Sequence, residues 1–481
     1  YASRSFKWNN DQGIWTESHL DMFSDDEQDL VKFFLKEFQS RKNEIDKLPK
    51  SIIHNDLNEF NLLFQSENYQ PKVILAIDYG DACLTSRVNN LAIAISYMLQ
   101  RETDYIKVID LMVSEYNNII PLSISECKAL YILIGIRLVI SVTQSRIAQK
   151  ENPDNQYLSI HYRSSMGTLL KLRELGESLV TSVTINAAKL EAEEFNKWSE
   201  WAQKTPCDLS SLFPESPKSS CTEINLGLES EHTPHEDHPY YEDEFATAVS
   251  RFQNRYQYNF IIGGYGEVRN LYGTKAFAQT SFGTERHRTK HMGVDIWEPA
   301  GTKISSPLDG EIALIHKTDA HKDYGTVIIV EYTYPQGSFY LLFGHLSSES
   351  FTKHQVGDKI KKGATIGWLG SYNENGHWAP HLHLQVILDL LGKGVNFDGV
   401  TRPDQWHFMS RICPDPAELF PQLRSQSAEL EKQEVLEKRK KHLGYGLSLS
   451  FNDPLWIKRG KDCYLVDNQG QTYLDTVNNV A

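Results

Sequence analysis

Apolar residues at helical spacing dominate the first part of the chain. Leu30, Phe34 and Phe38 recur four apart behind Ser24-Asp25-Asp26-Glu27, which has the form of a helix capping box. The runs Leu91 to Met98 and Ala129 to Val142 predict further buried helices, and a β-type stretch, Pro71 to Asp78, interrupts them. A charged helix is expected from Ala187 to Trp201. It gives way to "SLFPESPKSSCTEINLGLESEHTPHEDHPYYEDE", whose Pro, Ser and acidic residues read as a linker or extended loop. From about residue 255 to 420 the runs Thr326 to Tyr332, Phe339 to Phe343 and Leu382 to Leu388 sit between glycine and proline turns, a strand pattern. A polar helix, Ser427 to His442, follows. The end of the chain reads as a hairpin turning at Asn468-Gln469-Gly470.

The fold class expected is therefore multidomain α+β. Residues 1–182 form a mainly helical domain, 183–254 a linker and 255–422 a mainly antiparallel β domain. Residues 423–445 form a helical linker, and 446–481 a short terminal hairpin. A chain of 481 residues is too long for one ordinary core, which agrees with two or three domains. The net charge of −14 argues against a nucleic-acid partner, because phosphate binding needs a basic face. Ala129 to Val142 contains Arg137 and is too short to span a bilayer. The chain begins at Tyr1 rather than Met and stops at Ala481 in mid-pattern, so it reads as a piece of a longer polypeptide. The cysteines Cys83, Cys127, Cys207, Cys221, Cys413 and Cys463 are scattered with no CxxC pair, which favours reduced thiols and a cytoplasmic setting.

The candidate chemistry begins with "HWAPHLHLQV". His381 and His383, two apart in a strand, share one face, and the pair is either incidental or part of a metal site. Upstream, "RTKHMGVDIW" supplies His291 and Asp295, and "YLLFGHLSS" supplies His345. Imidazoles and a carboxylate are natural zinc ligands, and a catalytic site keeps one position for water. HxxxD, GHL and PHLH in that order, each beside a strand, favour the metal reading. His232, His235 and His238 lie among acids and are read as solvated linker rather than as weak metal ligands.

The words "HMGVDI", "SPLDGEI", "YGTVIIVEY", "LLFGHL", "VGDKIKKGATIGWLG" and "PHLHLQV" resemble the M23 family of zinc metallopeptidases, the lysostaphin-like endopeptidases that cut peptidoglycan cross-bridges. The resemblance implies a largely antiparallel sheet with the site in a groove across one face. It implies that His291, Asp295 and His383 bind zinc and that His345 and His381 are the catalytic pair, acting on a peptide or peptidoglycan-like substrate. The other histidines of the region, His287, His316, His321, His354 and His377, fit no motif and are read as surface or groove-rim residues. The word "GGYGEVRNLYGTK" is no Walker loop and leads into this domain.

A second pairing lies in "IIHNDLNEFNLLF" and "VILAIDYGD". Phosphoryl transfer needs a carboxylate near the acceptor hydroxyl and oxygen ligands for Mg²⁺. The pairing resembles aminoglycoside-phosphotransferase-like kinases of the hydroxylysine and homoserine kinase branch. On that resemblance Asp56 is the catalytic base, Asn61 and Asp78 bind Mg²⁺, and His54 is structural. Only the C-terminal lobe is represented, so ATP or GTP binding would need the missing N-lobe. The implied acceptor is a small amino alcohol or hydroxy-amino acid. Finally, "LSLSFNDPLWIKRGKDCYLVDNQGQTYLDTVNNVA" resembles the N-terminal edge of class III aminotransferases, whose pyridoxal phosphate (PLP) site and homo-oligomer contacts would lie beyond Ala481. The order resembles a bacterial multidomain fusion. In it the M23-like domain is either a zinc hydrolase or a binding or scaffolding module between metabolic enzymes.

Overall fold

The computed structural model describes residues 6–67, 70–152, 156–190, 193–228, 230, 241–272, 277–281, 284–392, 394, 396–425, 432–443, 454–461, 463–468, 470 and 472–475. His232, His235 and His238, and the turn residue Gln469, lie outside them. The chain divides into two compact units, Tyr1–Ala192 with Thr280–Thr284, and Glu193–Gln279 with Glu285–Ala481. The chain is thus multidomain α+β, helical in its first unit and sheet-based in its second.

The first unit is built on helices α1 (Asp25–Ser40), α2 (Asn89–Leu99), α3 (Tyr105–Ile119), α4 (Ile124–Glu151), α5 (Gln156–Leu175) and α6 (Glu177–Ala187). The capping box of α1 forms: the Ser24 backbone N–H donates to Glu27 Oε2 at 3.0 Å. Leu30, Phe34 and Phe38 are buried on its inner face, where Phe34 packs on Tyr131 of α4 with ring centroids 5.7 Å apart. The Ala129 to Val142 run lies wholly within α4, and most of it is buried. Among the described residues no helix is long and apolar enough to cross a membrane. Strands β1 (Lys50–Ile53) and β4 (Cys83–Ser86) pair, as do β2 (Leu62–Glu67) and β3 (Gln70–Ala76). The second hairpin leaves Phe64, Val73, Ile74 and Leu75 exposed.

The second unit is organised by an eight-stranded sheet. Its strands are β5 (Ser220–Glu223), β6 (Asn259–Gly263), β7 (Val294–Trp297), β8 (Gly310–Lys317), β9 (Thr326–Tyr334), β10 (Gly337–Leu346), β11 (Lys359–Ile360) and β12 (Leu382–Ile387). They run in the order β11-β8-β9-β10-β12-β7-β6-β5, all antiparallel except β5 with β6. Alternation gives the sheet two apolar faces. Phe260, Ile262, Val294, Ile296, Leu341, Phe343, Leu382, Leu384 and Val386 point into the main core. Helix α7 (Glu193–Lys204) covers that core, with Trp198 and Trp201 packed on Phe339 at ring distances of 6.0 and 5.4 Å. The opposite residues of the same strands, among them Ile261 and Trp297, face a second cluster that includes Phe245 and Val249 of α8 (Tyr241–Arg255).

Two details depart from the sequence reading. The charged helix begins at Glu193, not Ala187, because α6 ends there and Lys189 turns into the left-handed region at φ 55°. Part of the stretch read as linker belongs to the sheet unit: Leu209, Leu212 and Phe213 are buried in the main core, and Ser220–Glu223 is its edge strand. Pro, Ser and acid set the average composition there and hid these few apolar anchors.

Candidate metal centre

Strand register assembles the centre. Asp295 on β7 stands directly opposite His383 on β12, and both side chains leave the sheet on the face away from the main core. His381 and Gln385 share that face with His383. His291 arrives from the short strand Lys290–His291, whose backbone pairs with Val400–Thr401. Gly293 lets this segment approach, since a Cβ there would stand 2.7 Å from His383 Nε2. His345 is the exception to alternation. Phe343 and Leu346 of β10 both point into the main core. His345 reaches the opposite face by adopting φ 62°, a left-handed conformation rare for a side chain with a Cβ.

The result is a tight convergence. His291 Nε2 and His383 Nδ1 lie 3.0 Å apart, and Asp295 Oδ1 lies 3.0 Å from His383 Nδ1 and 3.2 Å from His291 Nε2. The tautomers follow from the outer partners. His291 Nδ1 faces the Gly264 carbonyl at 3.0 Å, and His383 Nε2 faces Gln385 Oε1 at 2.9 Å. Those oxygens only accept, so the outer nitrogens carry the protons. Both inner nitrogens are then lone-pair donors aimed at each other and at a carboxylate. Such a set repels itself unless a cation sits among it, and its donor chemistry of two imidazoles and one carboxylate fits zinc.

Charge around the centre is arranged to keep these forms. Burial pushes the His291 imidazole down to about 4, and the nearby Arg269 guanidinium adds to this, so His291 is neutral at pH 7. Burial alone would raise the Asp295 pKa. The His291 ring and the Arg269 cation outweigh it and hold the carboxyl well below its usual range; with His291 neutral at pH 7, Arg269 is the charge that acts there. Arg269 Nη1 donates to Asp295 Oδ2 at 2.6 Å and its Nε to Glu267 Oε2 at 2.8 Å, leaving Asp295 Oδ1 turned inward.

His345 and His381 lie beside the centre with ring centroids 4.2 Å apart. His345 Nδ1 donates to the Asn375 carbonyl at 2.9 Å and His381 Nδ1 to the Ala379 carbonyl at 2.7 Å, so each Nε2 keeps its lone pair. Burial lowers the pKa of both, most strongly that of His345. His381 Nε2 stands 3.7 Å from Asp295 Oδ1, and the Trp297 ring stacks on the His381 ring at 5.5 Å.

Sequence reasoning missed Gly264, Glu267, Arg269, Tyr272 and Gln385 around the site. Gln385 was accessible, since it continues the period-two face of His381 and His383. The others sit in "GGYGEVRNLYG", whose role only the fold displays. A cavity of about 280 Å³ opens onto His291, Asp295, His345, His381 and His383, and of the histidines read as rim residues His321 lines it, its ring 5.2 Å from that of His377.

The kinase-like residues lie in the first unit. Asp56 Oδ1 accepts from Tyr97 Oη at 2.7 Å and Arg137 Nη2 at 2.8 Å, and Oδ2 accepts from Asn61 Nδ2 at 3.1 Å. His54 Nε2 donates to the Ile77 carbonyl at 2.8 Å, and the Ile77 N–H donates to the Asn61 carbonyl at 2.9 Å. These bonds tie the loop carrying Asp56 and Asn61 to the strand end carrying Asp78, which is exposed at φ 62°. The structure therefore joins Asp56 and Asn61 directly and sets Asp78 next to the residue that links them.

The sheet and its histidine–aspartate cluster lie within a stretch that a family model recognises. Residues 289–397 match the family model described as Peptidase family M23. The catalytic domain of the antimicrobial peptidase lysostaphin from Staphylococcus simulans is similar at 24% identity, covering 33% of this chain and 96% of that one, with a TM-score of 0.19. Hydroxylysine kinase of Xenopus laevis is 28% identical over 146 residues, 29% of this chain and 39% of that protein. The alanine–glyoxylate aminotransferase 2-like protein of Drosophila melanogaster is 43% identical over 56 residues, 11% of each. The chain thus spans about two fifths of the Xenopus kinase it matches. It combines kinase, M23 and aminotransferase likenesses.

Proposed function

We propose that the M23 domain hydrolyses peptide bonds with zinc held by His291 Nε2, Asp295 Oδ1 and His383 Nδ1. The observation that carries this reading is the approach of those three donor atoms to within 3.0–3.2 Å. A zinc ion there would supply Lewis acidity, acidifying a water and polarising a carbonyl. The protein's own groups do the rest. Neutral His345 and His381 each offer an Nε2 lone pair beside the centre. One takes the proton of the attacking water and returns it to the leaving amine. The other takes a proton from solvent at Nε2 before the step and, as the imidazolium, donates a hydrogen bond to the oxygen of the scissile carbonyl as charge gathers there, keeping that proton throughout. The Asn375 and Ala379 carbonyls accept Nδ1–H from the two rings, so Nε2 of each is the atom at which a proton is taken up or given. Arg269 keeps Asp295 ionised, and burial of the site excludes bulk water.

Metal analysis of the purified chain tests the assignment. About one zinc per chain is expected, lost in His291→Ala and in His383→Ala. Zinc content unchanged in both variants would remove these residues as ligands.

A second reading concerns the first unit. The hydroxylysine kinase likeness, with Asp56 and Asn61 hydrogen-bonded in one loop, supports phosphoryl transfer to a small amino alcohol or hydroxy-amino acid. Asp56 would be the base and Asn61 and Asp78 the Mg²⁺ ligands, with nucleotide and PLP chemistry supplied by the complete protein. Such cofactors are consistent with a cytoplasmic setting.

A further inference from the structure

The three donor atoms of the centre belong to the matched stretch 289–397, but several of the groups that orient them do not. Before the stretch, the Gly264 carbonyl accepts from His291 Nδ1 at 3.0 Å, and the Glu267 carbonyl accepts from the His291 backbone N–H at 3.0 Å. After it, Val400 pairs with His291, and the Gly399 carbonyl accepts from the Met292 N–H at 2.9 Å. His383 is held from the same two flanks, through one intermediary.

That intermediary is Gln385, which is fully buried. Its amide has an accepting end and a donating end of almost the same shape. Oε1 lies 2.9 Å from His383 Nε2, while Nε2 donates to the Asp398 carbonyl at 3.3 Å and to Cys413 Sγ at 3.3 Å. A turned amide would set Oε1 against the Asp398 carbonyl, oxygen against oxygen, and an N–H against His383 Nε2. His383 would then have to carry its proton on Nδ1, the atom 3.0 Å from both His291 Nε2 and Asp295 Oδ1. A proton there excludes a metal ion. The Asp398 carbonyl and the Cys413 sulfur face the donating end and so decide which end His383 meets. Cys413 is itself fixed. It is fully buried at the end of the short helix Trp406–Ile412, its N–H donates to the Met409 carbonyl at 2.7 Å, and its carbonyl accepts from Tyr265 Oη at 2.6 Å. Tyr265 adjoins Gly264, so neighbouring residues of one loop reach His291 directly and His383 by way of Cys413 and Gln385.

Resting on the metal reading above, we propose that Gln385 and Cys413 are positioning residues that hold His383 in the tautomer whose Nδ1 is free for zinc. Cys413 acts from outside the matched stretch, through the direction of one amide. Residues 289–397 alone would carry the ligands without the partners that fix both tautomers.

The test uses the full chain. Competition with a chelating dye measures zinc affinity. Nitrogen NMR of the zinc-free chain with isotopically labelled histidine, assigned by the signal lost in His383→Ala, shows which ring nitrogen of His383 carries the proton. Gln385→Met keeps the bulk and loses the acceptor, so zinc affinity should fall about 10–100-fold and the His383 proton should spread over both nitrogens. Cys413→Ala should lower affinity about tenfold. Cys413→Ser, whose hydroxyl accepts in place of the sulfur, should stay closer to the parent than Cys413→Ala, a difference that lost packing alone would not produce. Parent-like zinc affinity in both Gln385→Met and Cys413→Ala would overturn the proposal while leaving the zinc ligands standing. Cys413→Ala removes only the sulfur and keeps the test decisive if Gln385→Met does not fold. If the parent chain binds no zinc, the metal reading fails, and the spectra decide the positioning role separately. A proton fixed on Nε2 in the parent and shared in the variants would support it, and the same spectrum in parent and variants would overturn it.

Discussion

Replacing Arg269 by Met tests how the centre is held. The guanidinium is buried and donates to Asp295 Oδ2 at 2.6 Å, to Glu267 Oε2 at 2.8 Å and to Tyr272 Oη at 3.1 Å. Methionine nearly fills the space but leaves two largely buried carboxylates without their cation. Breaking one partner of a buried pair costs about 3–5 kcal/mol, because the remaining charge stays desolvated. The loss should fall mainly on the metal-free protein. Bound zinc offsets the Asp295 charge, so zinc should restore part of the stability, though the ligand would be less well oriented and zinc affinity should drop about 10–100-fold. Arg269→Lys keeps the charge but not the fork, and should fall between. Denaturant unfolding, with and without zinc, read by tryptophan fluorescence, measures the first effect, and competition with a chelating dye measures the second. Units can unfold in separate transitions, so the comparison is made on the transition that zinc shifts. Parent-like unfolding of metal-free Arg269→Met, together with unchanged zinc affinity, would refute the idea that Arg269 holds Asp295.

Asp415 Oδ1 accepts the Ala417 N–H at 2.8 Å, and burial pushes its pKa up to about 6. The folded value lies above the unfolded value of about 3.9, so the fold binds the proton more tightly, and stability falls as pH rises from about 4 to about 6, by no more than about 3 kcal/mol. Asp415→Asn keeps the acceptor and should flatten that slope in unfolding midpoints measured at pH 4 and pH 7; an unaltered slope would contradict the assignment. Phe34→Ala should cost about 3–5 kcal/mol in denaturant unfolding of the helical unit, since the ring is fully buried against Tyr131; a loss under about 1 kcal/mol would mean that the site collapses freely. If the first unit is completed by a nucleotide-binding lobe, Asp56→Asn should lower phosphate transfer to a hydroxy-amino acid acceptor at least about 100-fold in a radiolabel assay, and full turnover would exclude Asp56 as the base.

How much was legible in the sequence depended on the range of the interaction. Local periodicity was enough for α1, where Ser24, Glu27, Leu30, Phe34 and Phe38 all act within their own helix. The period-two face of β12 was equally plain, because Leu382, Leu384 and Val386 alternate with His381, His383 and Gln385. The convergence of His291, Asp295 and His383 depends on the β7–β12 register, which no short window contains; ordered family words supplied the expectation instead. Arg269 and Glu267 stayed hidden because they act through Asp295 from another segment. His345 looked like a strand residue, and alternation along "LLFGHL" would have sent it into the core. Only its left-handed backbone reverses that direction. The edge strand Ser220–Glu223 was masked by polar composition, although Leu209, Leu212 and Phe213 nearby are core residues.

Three of the four histidines around the centre are oriented by main-chain oxygens, those of Gly264, Asn375 and Ala379. A carbonyl is common to every residue type, so a substitution at position 379 keeps the acceptor for His381, whereas the Asn375 side chain also bonds Gly370 and Trp378 and so helps to place its own carbonyl. A one-residue insertion or deletion between Asn375 and His381 would instead slide two acceptors out of place at once. In a mutational scan of this loop, any change of length should be lethal to the site, and replacements of Asn375 and of Gly376, where a Cβ would stand 1.8 Å from the Asp323 carbonyl oxygen, should be poorly accepted as well.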